Sequence, residues 1–333
     1  MPELTVGKIR GMKEITTSNG LMTILALDQR GSIVPALGLS PGDRAVYQRL
    51  RDFKLMVLRH LVRPASAVLL DPQYVAAEAV AEGVLPGHKG LIVTLEQSGY
   101  VGEPTARLNR VLPDWSMALV KRMGASAAKL LIEFNPYAGE AAERQEQLVA
   151  NLAQEARAAD LPFLVEPVVY STQPGVPKQS AEFAAQRPAL VIETARRIGA
   201  LGADVLKVEF PHDARFNDDE GAWVDGCAAL NEAAPVPWAL LSAGVDYQTF
   251  KRQVRVVCQA GASGFVAGRA IWKEALTMAG EERETFLRSS AADRMAELSE
   301  LVEAYGRPWT AHYPGLASAA GDGWLTRYAE ARA

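Results

Sequence analysis

Histidine and cysteine are scarce in this chain, with four and two in 333 residues. No two of His60, His88, His212 and His312 stand three or four positions apart, so no helix carries a histidine pair of the kind that holds zinc. Cys227 and Cys258 have neither metal-type spacing nor the look of a disulfide framework, and are expected as buried free thiols in a reducing cytoplasm. A large excess of one charge is absent too. The formal net charge of -4 leaves no footprint for nucleic acid or an anionic membrane. No apolar run is long enough to span a bilayer. The start, Met1-Pro2-Glu3-Leu4-Thr5, lacks the basic-then-apolar order of a secretory signal. These absences leave a cytoplasmic protein that acts on a small molecule, with no metal and no cofactor expected.

What is present is ordinary for a globular chain: 49% hydrophobic residues and 22% charged, enough for a sizeable core. Short apolar runs alternate with longer helical stretches. Strands are expected at 21–27, 66–70, 90–95, 127–133, 162–168, 203–208, 237–242 and 264–267. Helices are expected at 41–61, 74–82, 114–123, 140–160, 187–201, 221–233, 247–260 and 272–279. Ser40-Pro41 and Pro113-Asp114 read as helix starts, and Gly124, Gly202 and Gly261 as stops. Eight β-then-α units in one series predict an α/β fold, a (β/α)8 TIM barrel with a C-terminal helical extension. An open doubly wound sheet is the runner-up, but no Gly-x-Gly-x-x-Gly turn follows the first strand. The barrel is expected over 1–280. A helix at 281–305 and an aromatic-rich tail to 333 are expected to pack on the same domain, the tail covering one end of the barrel or forming a subunit contact.

The most informative stretch is Gly202-Ala203-Asp204-Val205-Leu206-Lys207-Val208-Glu209-Phe210-Pro211. Alternation puts Val205, Lys207 and Glu209 on one face of a strand. Burying a lysine cation in an apolar strand is costly, and the neutral amine it yields is the form that attacks carbonyls. An exposed lysine on an edge strand, or one paired with Glu209, is the alternative from this stretch alone.

Barrel active sites form at the carboxyl ends of the strands. Those ends deliver Asp28-Gln29-Arg30, Asp71, Glu96, Lys129 with Glu133, Glu166, and Lys207 with Glu209. Asp71 reads best as a cap for the following helix. Leu241-Ser242-Ala243-Gly244-Val245 and Val266-Ala267-Gly268-Arg269-Ala270, at the seventh and eighth ends, read as a phosphate cradle of hydroxyl, small residues and guanidinium. Lys129, two strands from Lys207, is expected beside it as a second cation. Glu166 between them is a candidate acid/base, walled by Leu164 and Val168. Nucleophilic amine, carboxylate and phosphate anchor point to imine chemistry on a phosphorylated carbonyl compound.

These residues also resemble a known family. Leu25-Ala26-Leu27-Asp28-Gln29-Arg30-Gly31, Leu69-Leu70-Asp71-Pro72-Gln73-Tyr74, Glu96-Gln97-Ser98-Gly99-Tyr100, Val205-Leu206-Lys207-Val208-Glu209, Leu241-Ser242-Ala243-Gly244-Val245 and Ala267-Gly268-Arg269-Ala270 resemble, in order, motifs of the tagatose 1,6-bisphosphate aldolases, class I enzymes on a (β/α)8 barrel. The related sulfofructose-phosphate aldolases share several of these elements. The resemblance implies Lys207 as the Schiff-base lysine and Glu166 as the proton-transfer carboxylate. It implies Asp28, Gln29 and Lys129 as groups that bind substrate hydroxyls and tune the imine, with Arg30 beside them in the substrate site. It implies Ser242, Gly244, Gly268 and Arg269 as the phosphate site. The stretch His212-Asp213-Ala214-Arg215 departs from the family's usual sequence.

The expected activity is reversible cleavage of a ketose 1-phosphate or 1,6-bisphosphate to dihydroxyacetone phosphate and an aldehyde such as glyceraldehyde 3-phosphate. The alternative is a 6-deoxy-6-sulfofructose 1-phosphate giving sulfolactaldehyde. A phosphosugar isomerase using Glu166 alone, and a non-catalytic phosphosugar sensor, are the competing classes. A homo-oligomer is the expected assembly.

Overall fold

The computed structural model describes residues 4–40 and 42–330. Eight parallel strands run β1 (Met22–Leu27), β2 (Ala67–Leu70), β3 (Gly90–Thr94), β4 (Ala127–Phe134), β5 (Phe163–Val169), β6 (Val205–Val208), β7 (Trp238–Leu241) and β8 (Gly264–Ala267). Each pairs with the next in sequence, and β8 returns to β1 with Met22 opposite Gly264 and Leu25 opposite Ala267. The barrel is therefore closed, and the open doubly wound alternative is excluded. All eight strands fall on the eight expected apolar runs.

Helix α1 (Val6–Ile15) precedes the barrel. The crossovers carry α2 (Val46–Leu61), α3 (Ala76–Ala81), α4 (Met117–Arg122), α5 (Glu140–Ala158), α6 (Ala181–Gly199), α7 (Glu220–Ala233) and α8 (Tyr247–Ala260), and α9 (Arg269–Trp272) follows β8. Then come α10 (Gly280–Phe286) and α11 (Ala292–Tyr305), joined by the π-helical turn Leu287–Ala291, and the short α12 (Trp324–Glu330). None of the described helices is long and apolar enough to cross a membrane.

The pleat decides which residues meet. Met22, Ile24, Ala26, Ala67, Leu69, Ile92, Ala127, Leu164, Val205, Ala239 and Val266 point inward and form one buried apolar cluster. Their neighbours, among them Leu25, Val68, Leu130, Val165, Leu206 and Leu240, point outward under the helices. Each fully buried aliphatic side chain stabilises the fold by about 1.5–3 kcal/mol. The inward cluster is also the floor on which the next inward residues stand: Asp28 follows Ala26, Lys129 follows Ala127, Glu166 follows Leu164 and Lys207 follows Val205.

Several expected helix boundaries are corrected by capping. α4 starts at Met117 rather than 114, because the Ser116 hydroxyl accepts from the Leu119 N–H, while Asp114 sits at a left-handed φ of 56°. α6 starts at Ala181 rather than 187, capped by Ser180, whose side chain accepts from the Phe183 N–H, and carries Pro188 inside it. α2 begins at Val46, and Pro41 lies outside the described residues. The helix expected at 272–279 is instead α9 followed by a 3-10 turn at Lys273–Leu276. The stops hold: Gly124, Gly202 and Gly261 adopt φ of 88°, 95° and 115°.

α1 and the hairpin Val101–Glu103/Ala106–Leu108 were not expected from the sequence. α1 closes the amino-terminal end of the barrel. A Cβ on Gly11 would stand 2.3 Å from the Ser126 carbonyl oxygen, so only glycine allows this approach. The tail joins α1 there: Trp309 and Tyr313 belong to the same apolar cluster as the barrel floor, Trp309 N–H donates to Gly20 O, and Tyr313 Oη donates to Asp204 O. Through Trp309 and Tyr313 the tail covers this end of the barrel.

Beneath β6, Lys8 Nζ lies 2.7 Å from Asp204 Oδ2, both side chains buried. Replacing Lys8 by alanine leaves a buried carboxylate without its cation and is expected to cost about 3–5 kcal/mol. Arg10→Ala, which breaks an exposed pair with Glu14, is expected to cost less than about 1 kcal/mol. Urea midpoints of the two variants check the contrast.

Candidate active site

Above the apolar floor the inward residues become charged. Lys129 is fully buried on β4, and its Nζ lies 2.9 Å from Asp28 Oδ2, 2.9 Å from Glu96 Oε1 and 2.7 Å from Glu166 Oε2. Burial alone works against the ammonium, but Asp28, Glu166 and Glu96 outweigh it and hold its pKa well above the ordinary lysine value. The other oxygen of Glu166 lies 2.9 Å from Lys207 Nζ, and Lys207 is 4% exposed. The carboxyl group of Glu166 thus stands between two lysine side chains. Lys129 does not face Lys207 directly as a bare second cation, which corrects the simpler expectation, and apolar walls are not the main surroundings of Glu166.

Burial opposes the charge of Asp28, and Lys129, Lys207 and Lys54 prevail, holding its carboxyl well below the usual range. Asp28 Oδ1 and the Gln29 side-chain oxygen find no hydrogen-bond partner among the described residues. Arg30 is placed elsewhere than expected. Its guanidinium is buried, donating to Gln73 Oε1 at 2.9 Å and the Glu96 carbonyl at 2.8 Å, and it lies 3.6 Å from the Glu96 carboxylate. Arg30 therefore supports Glu96 and does not line the cavity.

A cavity of about 610 Å³ opens over this layer. One side is walled by Gln29, Glu166, Lys207, Ser242, Gly244 and Arg269. The cradle after β7 is a tight turn, with Val245 N–H donating to Ser242 O and with Ala243 and Gly244 at φ of 47° and 77°. The left-handed Ala243 carries strain of about 1–2 kcal/mol, of the kind that persists at functional sites. Lys273 Nζ donates to the Gly244 and Val245 carbonyls at 3.2 Å each and so holds the loop from behind. Arg269 lies against this turn: a Cβ on Gly244 would stand 3.5 Å from its Cζ. No carboxylate among the described residues pairs with Arg269. Gly268 has no room for a side chain, since a Cβ there would stand 2.5 Å from Ala26 O and 2.9 Å from Gln29 Nε2.

Glu209 shares the inward face of Lys207 but does not pair with it. Its Oε1 lies 2.7 Å from Lys178 Nζ and 3.5 Å from Arg187 Nη2, and its Oε2 accepts from the Val169 N–H. Burial favours the acid, but Lys178 and Arg187 outweigh it and lower its pKa. The tight Lys207–Glu209 pair that would have kept the amine protonated is absent.

Asp71 does not cap the following helix, whose N-cap is Val75 without a side-chain bond; its Oδ1 accepts from the Gln73 and Tyr74 N–H groups of the turn before it, and its Oδ2 pairs with the buried Lys54. Glu133 pairs with Arg107 of the hairpin, away from the cavity lining. Burial pushes Cys227 and Cys258 up to about 12, so neither is a thiolate at neutral pH. Among the described residues no three His, Cys, Asp or Glu side chains are grouped to hold a metal ion. Glu96, Lys54, Lys178 and Arg187 were not singled out as site residues from the sequence. Glu96 ends a strand like the others and was legible there; the two loop and helix lysines carry no local signal.

With this geometry in view, a family model described as DeoC/LacD family aldolase matches residues 22–274. The chain belongs to that family. It is therefore an aldolase, a carbon–carbon lyase. A tagatose 1,6-diphosphate aldolase 2 of Enterococcus faecalis is 31% identical over 332 residues, covering 93% of this chain and 98% of that protein. A tagatose 1,6-diphosphate aldolase of Listeria monocytogenes is 29% identical, covering 94% and 96%. Among solved structures, an archaeal fructose 1,6-bisphosphate aldolase aligns with a TM-score of 0.60 at 20% identity, covering 89% of this chain and 99% of that one. The fructose-bisphosphate aldolase from Plasmodium falciparum aligns with a TM-score of 0.68 at 13% identity, covering 92% and 98%. At these identities the structural matches speak for the barrel alone.

The lowered carboxyls set an acid limit on stability. Unfolded carboxyls take up protons near pH 4, whereas folded Asp28 and Glu209 hold out to lower pH. Their contribution is present above about pH 4 and is lost as pH falls through the folded values. Urea midpoints are expected to drop below about pH 4, and less steeply in Glu209→Gln, which removes one of the two groups. Parallel slopes in wild type and variant would refute this.

Proposed function

We propose that this aldolase is a class I enzyme that forms a Schiff base through Lys207 and reversibly cleaves a ketose 1-phosphate or 1,6-bisphosphate to dihydroxyacetone phosphate and an aldehyde. The observation that carries this is a lysine amine at a cavity wall, 4% exposed and 2.9 Å from a carboxylate that a second lysine holds in place. The family membership and the tagatose 1,6-diphosphate aldolase names of the relatives support it.

Lys207 passes a proton to Glu166 and attacks the C2 ketone as the neutral amine. The carbinolamine takes a proton back through Glu166 and loses water, leaving an iminium. Glu166, directly or through one water, then takes the C4 hydroxyl proton. The C3–C4 bond breaks, its electron pair moves into the iminium to give an enamine, and the aldehyde leaves. Protonation at C3 and hydrolysis release dihydroxyacetone phosphate and restore the amine. Ser242, Gly244, Gly268 and Arg269 hold the C1 phosphate and fix C2 against Lys207. Gln29 on the cavity wall serves substrate hydroxyls, and Asp28, which lies behind that wall against Lys129, acts through the lysine. Lys129, with no exposed surface, acts through Glu166 and Asp28 rather than on the sugar.

Incubation with dihydroxyacetone phosphate and borohydride is expected to add a stable mass to the peptide containing Lys207. Lys207→Ala should form no adduct and lose cleavage, and Glu166→Gln should lower kcat by about 10²–10⁴-fold. Wild-type activity should persist in a metal chelator. An adduct retained by Lys207→Ala, or isomerisation without trapping, overturns the reading.

A further inference from the structure

One buried ion pair beside the site has no part in the steps above. Lys54 reaches inward from α2, and Asp71 ends β2. They are 1% and 0% exposed, and Lys54 Nζ is hydrogen-bonded to Asp71 Oδ2. Neither lines the cavity. Such a pair is weak evidence for stability, since well-packed apolar residues often replace one without loss. Three donors converge on Asp71: Lys54 and the Gln73 and Tyr74 N–H groups. That many donors fit a carboxylate, and a carboxylate there fixes Lys54 as the ammonium.

The register of the barrel decides what the pair stands next to. Leu27 of β1 lies opposite Leu70 of β2, so the residues that follow, Asp28 and Asp71, come side by side. Two neighbouring buried carboxyls tend to share one proton, because each disfavours ionisation of the other. A proton kept there would compete with the one exchanged at Lys207, for Asp28 lies 2.9 Å from Lys129 Nζ and Glu166 lies 2.7 Å from it. Lys54 is the cation on the Asp71 side. Burial raises the Asp28 pKa, and Lys129, Lys207 and Lys54 together bring it down. Burial lowers Lys54, and Asp71 and Asp28 work against that. Facing Lys54 besides these are Arg30, a like charge, and the Tyr74 ring, whose centroid is 5.6 Å from Nζ. On its open side Lys207 shares the cavity with Arg269, His212, the Asp213–Arg215 pair, and Glu209 with its two cations.

Resting on the Schiff-base reading above, we propose that Lys54 is a positioning residue of the reaction: it holds Asp71, and beside it Asp28, as carboxylates, so that the proton passed from Lys207 is taken by Glu166 alone. In that exchange the ammonium loses one proton and the Glu166 carboxylate gains it, with no change in the net charge of the buried layer. Lys54 touches no reacting atom and acts only through the two aspartates.

The test follows, against pH, the rate at which dihydroxyacetone phosphate and cyanoborohydride add mass to the peptide containing Lys207. The readout is the midpoint of the acid limb, which does not depend on how much of a variant is folded. Lys54→Met leaves the layer one negative charge richer and favours the protonated groups, so its midpoint should rise by about 0.5–1 pH unit. Asp71→Asn removes the neighbouring anion and should lower the midpoint by a similar amount. The double variant carries neither charge and should return close to wild type, and Lys54→Arg should stay there. Where Lys54→Met yields no folded protein, Lys54→Gln takes its place with the same expected rise. Midpoints that stay put while plateau rates fall are what a purely structural pair would give, and they overturn the proposal. A shift of one sign in both single variants, or a double variant that keeps the Lys54→Met shift, also overturns it. Trapping by wild type with unmoved midpoints in the variants sinks this inference alone, and failure of wild type to trap sinks the reading beneath it.

Discussion

The ammonium of Lys129 has no contact with solvent, and the top of the barrel is arranged around keeping it charged. Its three carboxylates come from the ends of three different strands: Asp28 after β1, Glu96 after β3 and Glu166 on β5. Each carboxylate is repelled by the other two and tolerated because the cation sits among them. Arg30 reinforces Glu96 from the side, and the Leu131 N–H fixes its second oxygen. Removing the lysine would leave three buried anions, so its geometry is enforced from all sides. That rigidity passes to Glu166, whose free oxygen meets Lys207, and it holds the acid/base group in place before any substrate arrives.

A network of this kind needs a floor. The inward apolar residues of the eight strands supply it, and α1 with Trp309 and Tyr313 seals it from below. Water is kept from the underside of the charged layer, so the ion pairs act in a low dielectric and hold their arrangement. The cavity above is then divided by the order of the strands. Lys207 stands in the middle, the strained Ala243–Gly244 turn and Arg269 on one side, and the Glu209 cluster on the other. The two sides differ in how their cations are held. Arg269 faces the turn with no carboxylate partner among the described residues, whereas Lys178 and Arg187 are tied to a carboxylate that balances one of their two charges.

Much of this was legible in the amino-acid order. Strand existence followed from short apolar runs. The inward position of Lys207 followed from its spacing from Val205, and the cradle followed from small residues and an arginine after the last two strands. These are local properties with a period of two, and a barrel strand preserves them. Helix starts were less legible, because a single serine side chain can set them: Ser180 caps α6 two turns ahead of the expected start. α1 was missed because its buried face is short and mixed, Lys8 and Gly11 standing beside Met12 and Ile15.

Pairing was the part no local pattern held. Glu209 stands two residues from Lys207, and sequence distance suggested a partnership. In the fold its carboxylate meets Lys178 and Arg187, which approach from the segment after β5 and from α6. Arg30 follows Asp28 and Gln29 directly, yet it points to Glu96 and away from the sugar. By itself the sequence determined the barrel, the face of each strand and the chemical kind of residue at each strand end, because pleating and hydrophobic burial act over neighbouring residues. Only the tertiary structure decided which charge answers which, because a buried ion must find its counter-ion in space, and the nearest one comes from whichever strand or loop the closed barrel brings alongside.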